Sequence, residues 1–409
     1  MSGLYDVAVI GGGVVGCSVL HELTSSGYRC VLLEKNSGLV SEASAGNSGM
    51  LHTGFDALEK TELSCIQYTQ KNIWDVLHKT GIPYHKIGAT MIGWNEEQKS
   101  KLQEIRQKSE VAGTKGTREI SISTLYQMEP HVRHGAHGAL WIPEETVVDP
   151  WLTAVTLAHQ ARRKNATILT DTVFEGCQYN GSHMTLNTNK GHLNTKCAVN
   201  SAGVYGDIVD IIAGCPNFRI KPRKGQYMMY SQKAHGLINS SILPVPTGKG
   251  KGIIVFKSVY DNVIVGPTAE ETDIRSKPPI DDSVTKRLMT VADNVVPKLH
   301  ENRVVRMYTG VRPATDIKDY QLHCDVKRKW ITAGGIRSTG LSGCLGIAHM
   351  VLEMVREQLG IEASYSENRT LTRQNVVMET NGTAMIDGIH YEVTHPIALC
   401  KRERTPSLL

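Results

Sequence analysis

Apolar residues near the start of the chain follow a strand pattern and then a helix pattern. Tyr5–Ile10 is a mostly apolar stretch that predicts a buried strand. The next segment, "VVGCSVLHELTSSG", has helical spacing of its apolar residues and ends at a glycine, and "RCVLLE" predicts a second strand. Residues 5–34 are therefore predicted to form a strand–helix–strand unit.

Further along the chain the same two patterns alternate. Residues 149–179 predict a helix followed by a strand, and residues 222–315 predict several strands separated by turn residues. A capped amphipathic helix is predicted within that region, over residues 281–299. Residues 330–360 predict a short strand (Trp330–Ala333), a glycine turn and a long helix. The chain thus predicts a mixture of parallel units and antiparallel strands.

Composition narrows the class of protein. A length of 409 residues favours two domains, and 40% hydrophobic with 21% charged residues is typical of soluble globular proteins. The formal net charge is only +5, and no basic run is interleaved with aromatic residues, so a nucleic-acid partner is not expected. A mildly positive field suits small anions instead.

Targeting and metal-binding patterns are not found in the sequence. The first apolar run is already strand and turn, and no apolar stretch reaches membrane-spanning length. We therefore expect no signal peptide, no transmembrane segment and a cytoplasmic location, with mitochondrion and peroxisome as alternatives. Nine cysteines are scattered without a C-x-x-C spacing, so no metal site is predicted.

Three glycines lie at the junction of the first predicted strand and its helix. Gly11 suits a tight turn, Gly13 lets the backbone approach a pyrophosphate, and Gly16 lets helix and strand pack closely. The helix that begins at Val14 would direct its N-terminal N–H groups at phosphates. Glu34, at the end of the second strand, can accept hydrogen bonds from ribose hydroxyls and disfavours a 2′-phosphate. FAD and NAD both fit, and a glycine turn without a ligand is the alternative.

Two more segments favour an extended ligand. Residues 41–57, "SEASAGNSGMLHTGFDA", are rich in small residues, as a backbone lying against a flat ring would be. The glycine turn after Trp330–Ala333 starts a second helix about three hundred residues after the first. Two helix N-termini suit a ligand with two polar ends.

Eight motifs carry a resemblance to a known family. The N-terminal glycine loop is joined by "SAGNSGMLHTG", "GALWIPEETVVDP", "VNSAGVYGD", "KGQYMMY", "VIVGPTAEE", "GVRPAT" and "GGIRSTGLSGCLGIA". Together they resemble the D-amino-acid-oxidase superfamily of FAD-dependent oxidoreductases. Within it they are most similar to the branch that holds L-2-hydroxyglutarate dehydrogenase and FAD-dependent glycerol-3-phosphate dehydrogenase.

The resemblance implies an α/β fold in which two domains are interleaved. A Rossmann-type FAD-binding domain would take residues 1–80, 145–215 and 326–365. An antiparallel β-sheet substrate domain would take residues 81–144 and 216–325. Residues 366–409 match no segment of the family and are predicted to form a C-terminal tail.

The resemblance also implies which residues contact FAD. The predicted set lies in the glycine loop, the small-residue segment, two strand ends and the second glycine turn. It consists of Gly11, Gly13, Val14, Gly16, Glu34, Lys35, Ser44, Asn47, Ser48, Gly49, Val173, Ala202, Gly203, Gly335, Ile336, Thr339, Gly340 and Leu341. A helix N-terminus beside the flavin would stabilise the negative charge of the reduced form.

Two residues are predicted to act on the substrate. Arg312, in "GVRPAT", would clamp a carboxylate or phosphate with its planar guanidinium. His52 would accept the hydroxyl proton as hydride leaves carbon, because a neutral imidazole with a pKa of about 6.5 suits that task. Lys224 is predicted to assist in substrate binding, and Arg306 is a further candidate for the anion site. Each of these could instead have an ordinary structural role.

The predicted activity is oxidation of a small anionic hydroxy compound, 2-hydroxyglutarate or glycerol 3-phosphate, by hydride transfer to flavin N5. Alternatives are an amine oxidase of glycine, sarcosine or D-amino-acid type, and a non-catalytic FAD-binding protein. The sequence leaves oxygen, a quinone and an electron-transfer flavoprotein open as the electron acceptor.

Overall fold

Two large β-sheets organise the protein, whose computed structural model describes residues 3–57, 59–246 and 252–400. The strands in chain order are β1 (Leu4–Ile10), β2 (Cys30–Leu33), β3 (Met50–Leu51), β4 (Tyr84–His85), β5 (Ala89–Gly93), β6 (Arg118–Ile120), β7 (Gly138–Ile142), β8 (Thr146–Val148), β9 (Thr167–Leu169), β10 (Phe174–Tyr179), β11 (Met184–Thr188), β12 (Gly191–Asn200), β13 (Lys221–Tyr230), β14 (Ser241–Pro244), β15 (Ile254–Lys257), β16 (Val263–Gly266), β17 (Glu270–Glu271), β18 (Val304–Ala314), β19 (Gln321–Asp325), β20 (Trp330–Gly334), β21 (Val376–Met378), β22 (Thr383–Ile386) and β23 (Ile389–Glu392).

Helices cover both sheets. They are α1 (Val14–Ser25), α2 (Lys60–Thr80), α3 (Glu96–Val111), α4 (Ile122–Met128), α5 (Pro150–Arg162), α6 (Gly206–Ile212), α7 (Asp282–Val295), α8 (Gly340–Glu353) and α9 (Pro396–Leu399). Within the three described segments, no helix is both long and apolar enough to span a membrane.

The first sheet is parallel at its centre. Strands β20, β12, β1, β2 and β9 pair in parallel in that order, and β10, β11 and β19 add antiparallel partners. The predicted strand–helix–strand unit at the start of the chain is β1, α1 and β2. Because parallel strands end at the same edge, the turns after β1, β2, β12 and β20 meet there. That edge is where ligands bind in open α/β sheets.

The second sheet is largely antiparallel and contains β5–β7 and β13–β18. Its longest pairing joins β13 to β18, from Lys221 opposite Ala314 to Tyr230 opposite Val304. Helix α7 covers one face of this pairing and buries Val284, Leu288 and Ala292, which are spaced as one helix face. The other face turns towards the segment that follows β2.

The predicted cap of α7 is only half right. Asp281 occupies the N-cap position, but its side chain accepts no hydrogen bond from the helix N–H groups. Its carboxylate instead accepts hydrogen bonds from Lys224 and Gln226 of β13. The helix start is therefore tied to the sheet rather than capped locally.

Residues after 365, predicted as a tail, carry structure of their own as far as residue 400. Strands β21–β23 form a three-stranded antiparallel sheet, followed by the short helix α9. Ala384, Ile386 and Tyr391 are buried in the core around α1 and α5. Residues 401–409 of the predicted tail lie outside the described residues.

Candidate active site

The three glycines of the first turn have different neighbours. A Cβ at Gly16 would lie 1.8 Å from the carbonyl oxygen of Gly11, and one at Gly11 would lie 2.6 Å from the carbonyl oxygen of Ser201. These two positions let β1, α1 and the turn after β12 approach each other. A Cβ at Gly13 would meet only the Ser44 hydroxyl, at 3.1 Å. Gly13 thus leaves the start of α1 accessible, as pyrophosphate binding requires.

Glu34 closes this turn at the end of β2. It is buried, and its Oε2 accepts a hydrogen bond from the Gly12 N–H at 2.7 Å. Its Oε1 accepts two hydrogen bonds from Asn36, at 2.8 Å and 2.7 Å. A carboxylate offers about four lone-pair sites, so one remains for a ribose hydroxyl. Lys35, the next residue, pairs with Glu42 at 2.7 Å and lies over the ring of Tyr205.

The small-residue segment reaches the start of α1 from the other side. Ser44 accepts a hydrogen bond from the Val14 N–H at 3.1 Å. Asn47 closes its own turn, because its Nδ2 donates to the Ser44 carbonyl and its Oδ1 accepts from the Gly49 N–H. Ser48 accepts a long bond from Met50. These side chains shape the loop that would lie against the flavin.

The second glycine turn brings another helix start to the same place. A Cβ at Gly340 would lie 3.7 Å from Val14, so α1 and α8 begin side by side. Gly335 has a φ of 62°, and a Cβ there would meet Gln321 at 2.7 Å. Ile336 and Leu341 are buried in the core, which leaves their backbone groups as the available contacts. The Thr339 hydroxyl bonds to Tyr320 at 2.8 Å.

The turn after β12 is held by a buried polar network. Asn200 accepts from the Ala202 N–H at 3.1 Å and donates to Asp210 at 2.7 Å. Burial raises the pKa of Asp210. Gly203 has a φ of 56° and nothing within 4 Å of a built Cβ, so this turn presents open backbone.

Val173 is placed differently from the other predicted contacts. Its N–H donates to Asn189 Oδ1 at 2.8 Å, and its carbonyl accepts from the Asn189 N–H at 3.3 Å. The N–H and the carbonyl of Val173 thus both bond to Asn189. The predicted contact stays a prediction, and it requires Asn189 to turn away.

His52 is held on a buried carboxylate. Its Nδ1 lies 2.8 Å from Glu145 Oε2, and the Glu145 side chain is fully buried. The other oxygen of Glu145 accepts from the N–H and hydroxyl of Thr53 at 2.7 Å and 2.9 Å. The neutral imidazole therefore carries its proton on Nδ1 and leaves Nε2 as the basic nitrogen. The imidazole is 28% exposed, so a small molecule can reach it.

Helix α8 fixes the backbone of the same histidine. The His52 N–H donates to the Ser342 hydroxyl at 2.9 Å, and Ser342 donates to the Met50 carbonyl at 3.2 Å. Gln70 donates to the His52 carbonyl at 2.9 Å. Ring and backbone of His52 are thus positioned by separate elements.

Arg312 projects from β18 on the face that meets this loop. Gly310, two residues earlier on the same face, would place a Cβ 2.0 Å from the Gly46 carbonyl oxygen. The Arg312 guanidinium lies over Gly225 of β13 and donates to the Thr268 carbonyl at 3.1 Å. Burial raises the pKa of Tyr227, and the nearby Arg312 opposes that rise. Among residues 3–57, 59–246 and 252–400, no carboxylate forms an ion pair with Arg312.

Lys224 and Arg306, the other two candidates for the anion site, differ in their positions on the second sheet. Lys224 is opposite Val311, on the α7 side of the sheet, and its Nζ bonds both oxygens of Asp281 at 2.8 Å and 2.7 Å. Strand alternation turns Lys224 away from Arg312, and its charge is balanced by Asp281. The predicted contact of Lys224 with the substrate stays a prediction. Arg306 is opposite Met229 on the same face as Arg312, beyond the stacked rings of Tyr227 and Tyr308.

Several contributors were missed by sequence reasoning. Glu145 lies within the quoted "GALWIPEETVVDP", but nothing local shows that it meets His52, 93 residues away. Tyr308 donates to the Asn47 carbonyl at 3.2 Å. The C-terminal segment also reaches this side of the molecule, where a cleft of about 260 Å³ is lined by Glu392, Val393, Thr394 and Pro396 together with Ser41, Ala45 and Gly310.

Comparison with known proteins matches the chain to one family. The family described as "DAO: FAD dependent oxidoreductase" matches residues 6–354. The chain is 28% identical over 381 residues to a glycerol 3-phosphate oxidase of Mycoplasma genitalium, covering 90% of this chain and 98% of that protein. A glycerol 3-phosphate dehydrogenase of Caloramator mitchellensis is 25% identical over 355 residues, covering 86% and 74%.

A more distant relative and a solved structure add to this. An L-2-hydroxyglutarate dehydrogenase of Caenorhabditis elegans is 24% identical over 278 residues, covering 65% of this chain and 63% of that protein. The fold superposes on a dithionite-reduced L-alpha-glycerophosphate oxidase of Mycoplasma pneumoniae with FAD bound, with a TM-score of 0.83 and 25% identity. That match covers 90% of this chain and 99% of the other.

Proposed function

Because this chain belongs to the DAO family of FAD-dependent oxidoreductases, we propose that it oxidises the secondary hydroxyl of glycerol 3-phosphate. Two side chains carry the proposal: His52, which is held on the buried carboxylate of Glu145, and Arg312, which forms no ion pair with any carboxylate of the described residues. The first suits removal of a hydroxyl proton, and the second suits an anionic group on the same small molecule. The sequence similarity to proteins named for glycerol 3-phosphate supports the same substrate.

The residues at the sheet edge fit FAD. The accessible start of α1 at Gly13 suits the pyrophosphate, Glu34 keeps one acceptor site for the ribose, and the adjoining start of α8 suits the flavin end. The chemistry that bound FAD supplies is the acceptance of a hydride at N5.

His52 performs the proton transfer in this proposal. Its Nε2 takes the hydroxyl proton as the C–H bond breaks, and Glu145 stabilises the imidazolium that results. The carboxylate of Glu145 also keeps the ring in one orientation, since its second oxygen is fixed by Thr53. This arrangement gives the base a set position.

Arg312 orients the substrate. Its guanidinium can form two parallel hydrogen bonds to phosphate oxygens, which fixes the direction of the carbon chain. Gly46 and Gly310 bring the segment that leads to His52 onto the strand of Arg312, and the proposal requires one small molecule to contact both side chains. Since the relatives include an oxidase and a dehydrogenase, the electron acceptor is left to experiment.

The second candidate substrate is L-2-hydroxyglutarate. A carboxylate would also be clamped by Arg312, and the distant relatives carry that name. Oxidation of an amine needs no base of this kind for a hydroxyl proton, so the His52–Glu145 pair favours an alcohol.

The test is anaerobic mixing of the purified yellow protein with glycerol 3-phosphate, L-2-hydroxyglutarate or sarcosine. We expect rapid bleaching of the flavin absorbance with glycerol 3-phosphate only. Faster bleaching with either other compound would reassign the substrate. Bleaching with none of the three, in protein that retains FAD and accepts electrons from dithionite, would contradict an oxidase or dehydrogenase of this class.

A further inference from the structure

A second arginine stands directly across the sheet from Arg312. Arg223 of β13 is the register partner of Arg312 in the antiparallel pairing with β18. Residues directly opposite in such a pair project to the same face, at about 5 Å between their Cβ atoms. Lys224, the neighbour of Arg223, projects to the other face and bonds Asp281. Two guanidinium side chains therefore start side by side on the face that meets the flavin loop.

Neither arginine has a counterion within the described chain. Arg223 forms no ion pair and no side-chain hydrogen bond there, and its Nε is buried without an acceptor. The Arg312 guanidinium donates to the Thr268 carbonyl and lies beside the Tyr227 side chain. Like charges directly opposite on a sheet repel, and a buried N–H without a partner costs about 1–3 kcal/mol. An anion between the two guanidiniums would remove both penalties.

The row of residues next to the two arginines on this face consists of glycines. Gly225 and Gly310 are opposite each other in the next row of the same face. The Arg312 guanidinium occupies the space over Gly225, where a Cβ would lie 2.7 Å from its Nη2. Towards the Arg223 side, Lys221 is already paired with Asp316 at 2.6 Å. Glu271 is opposite Arg223 on β17, is exposed, and forms no ion pair with it.

We propose that Arg223 is the second guanidinium of a two-arginine site that selects a phosphate monoester over a carboxylate. A phosphate dianion has enough oxygens and charge to engage both side chains, whereas a monocarboxylate is satisfied by Arg312 alone. The proposal rests on the proposed function, because it makes the anionic end of that substrate a phosphate. It assigns Arg223 to substrate selection and not to proton transfer.

The experiment compares holoenzyme variants on substrates of different charge. Arg223→Gln and the matched control Lys221→Gln each remove one positive charge from the same face of β13. Dissociation constants are taken from the saturation of anaerobic flavin reduction by glycerol 3-phosphate. Its methyl phosphodiester and glycerate serve as singly charged analogues. FAD content and thermal unfolding are measured for every variant.

Arg223→Gln should raise the dissociation constant for glycerol 3-phosphate by about 10- to 100-fold, as expected for loss of hydrogen bonds to a charged group. In Arg223→Gln, the dissociation constants of the two singly charged analogues should change by less than about threefold. In Lys221→Gln, the dissociation constants of all three compounds should change by less than about threefold. Arg223→Lys should fall between, because it keeps the charge and loses the planar fork. Unchanged affinity for the monoester, or equal losses on all three compounds, would overturn the proposal.

A second measurement distinguishes failure of the proposed function from failure of the two-arginine site. If glycerol 3-phosphate does not reduce the wild-type flavin, binding of inorganic phosphate to the holoenzyme is measured by calorimetry. Binding that Arg223→Gln abolishes and Lys221→Gln preserves would keep the two-arginine site while the substrate is reassigned. No binding of phosphate by wild type would overturn the site as well.

Discussion

At the scale of single residues, the chemistry of this site depends on side chains that hold other side chains. Glu145 has no route to a substrate of its own, since it is fully buried and both of its oxygens accept hydrogen bonds. Its effect passes through His52, whose ring it orients and whose charged form it stabilises. Gly225 acts in the same indirect way on Arg312, by leaving room for the guanidinium.

Glu145→Gln is expected to slow flavin reduction while FAD stays bound. The amide cannot stabilise the imidazolium, so the rate at saturating substrate should fall by about 10- to 100-fold. The full loss in His52→Ala should be about 10²–10⁴-fold. Stopped-flow reduction under anaerobic conditions gives both rates. Thr53→Val is the control, since it removes one hydroxyl contact of Glu145 and keeps the carboxylate. A loss as large in Thr53→Val would mean that the loop, not the charge, is responsible.

Gly225→Ala is expected to displace Arg312. The new Cβ would lie 2.7 Å from Nη2, so the guanidinium must move and substrate affinity should fall by about tenfold or more. FAD content should not change, because Gly225 and Arg312 lie on strands of the second sheet, whereas the glycine turns belong to the first. Gly236→Ala is the matched control, with nothing within 4 Å of a built Cβ. Equal substrate affinity in both variants would show that Arg312 is not held at this position.

At the scale of elements, two glycines at the start of helix α1 have different roles. Gly16 faces the Gly11 carbonyl and serves packing, whereas Gly13 faces only the end of the Ser44 side chain. The N-cap residue of the helix is Gly13, which has no side chain, and the Val14 N–H donates instead to the Ser44 hydroxyl. Folding and cofactor binding can therefore be lost separately.

Gly16→Ala should reduce the stability of the protein, whereas Gly13→Val should reduce FAD binding. Gly16→Ala places a Cβ 1.8 Å from a backbone oxygen, so the free energy of unfolding should fall by at least about 1–3 kcal/mol even without FAD. Gly13→Val should keep the stability of the apoprotein and lose FAD, because its side chain occupies the phosphate approach. Urea unfolding of apoprotein and flavin content after gel filtration measure the two effects. Normal FAD content in Gly13→Val would remove this turn from the cofactor site.

At the scale of the whole molecule, the C-terminal segment joins parts that are distant in sequence. Asp387 lies 3.0 Å from His159 Nε2 and 2.9 Å from Arg163 Nη1, both in α5 or at its end. Thr394 donates to the Val40 carbonyl at 2.9 Å. His395 is buried with its ring 6.0 Å from that of Tyr308. This segment thus contacts the cofactor-side core, the small-residue segment and the second sheet.

Stability should decline as the pH falls below neutrality. Burial lowers the pKa of His21 and of His395 to about 3. Since the unfolded chain binds those protons at about pH 6.5, it gains protons first, and the folded state loses stability from there down to about pH 3. Each histidine can contribute up to about 1.4 kcal/mol per pH unit in that window. Urea unfolding at about pH 7 and about pH 5 measures the loss.

The variant His21→Leu isolates the contribution of His21 to this pH dependence of stability. The Nδ1 of His21 has no hydrogen-bond partner in the described chain, so leucine removes no bond from that atom. The variant should lose less stability between the two pH values than wild type. If the variant and wild type lose the same free energy of unfolding between the two pH values, His21 does not contribute to the pH dependence.

The local sequence determined much of the cofactor side. Strand β1, the glycine turn, α1 and β2 follow from a continuous pattern within 34 residues, and FAD follows from the second glycine turn together with the family resemblance. A long helix after the second glycine turn and several strands separated by turn residues in the region of β13–β18 were also predicted. Such features depend on contacts between near neighbours, which spacing along the chain records.

The partners of the predicted site residues were decided only by the tertiary structure. His52 meets Glu145 across 93 residues, and Arg312 meets Arg223 because β13 and β18 pair in one particular register. That register also turns Lys224 to the far face, although it is the sequence neighbour of Arg223. Strand patterns show that side chains alternate between two faces, but which face meets the flavin loop depends on how the sheets pack. Contacts between distant segments leave no spacing in the sequence, so the order of residues could not show them.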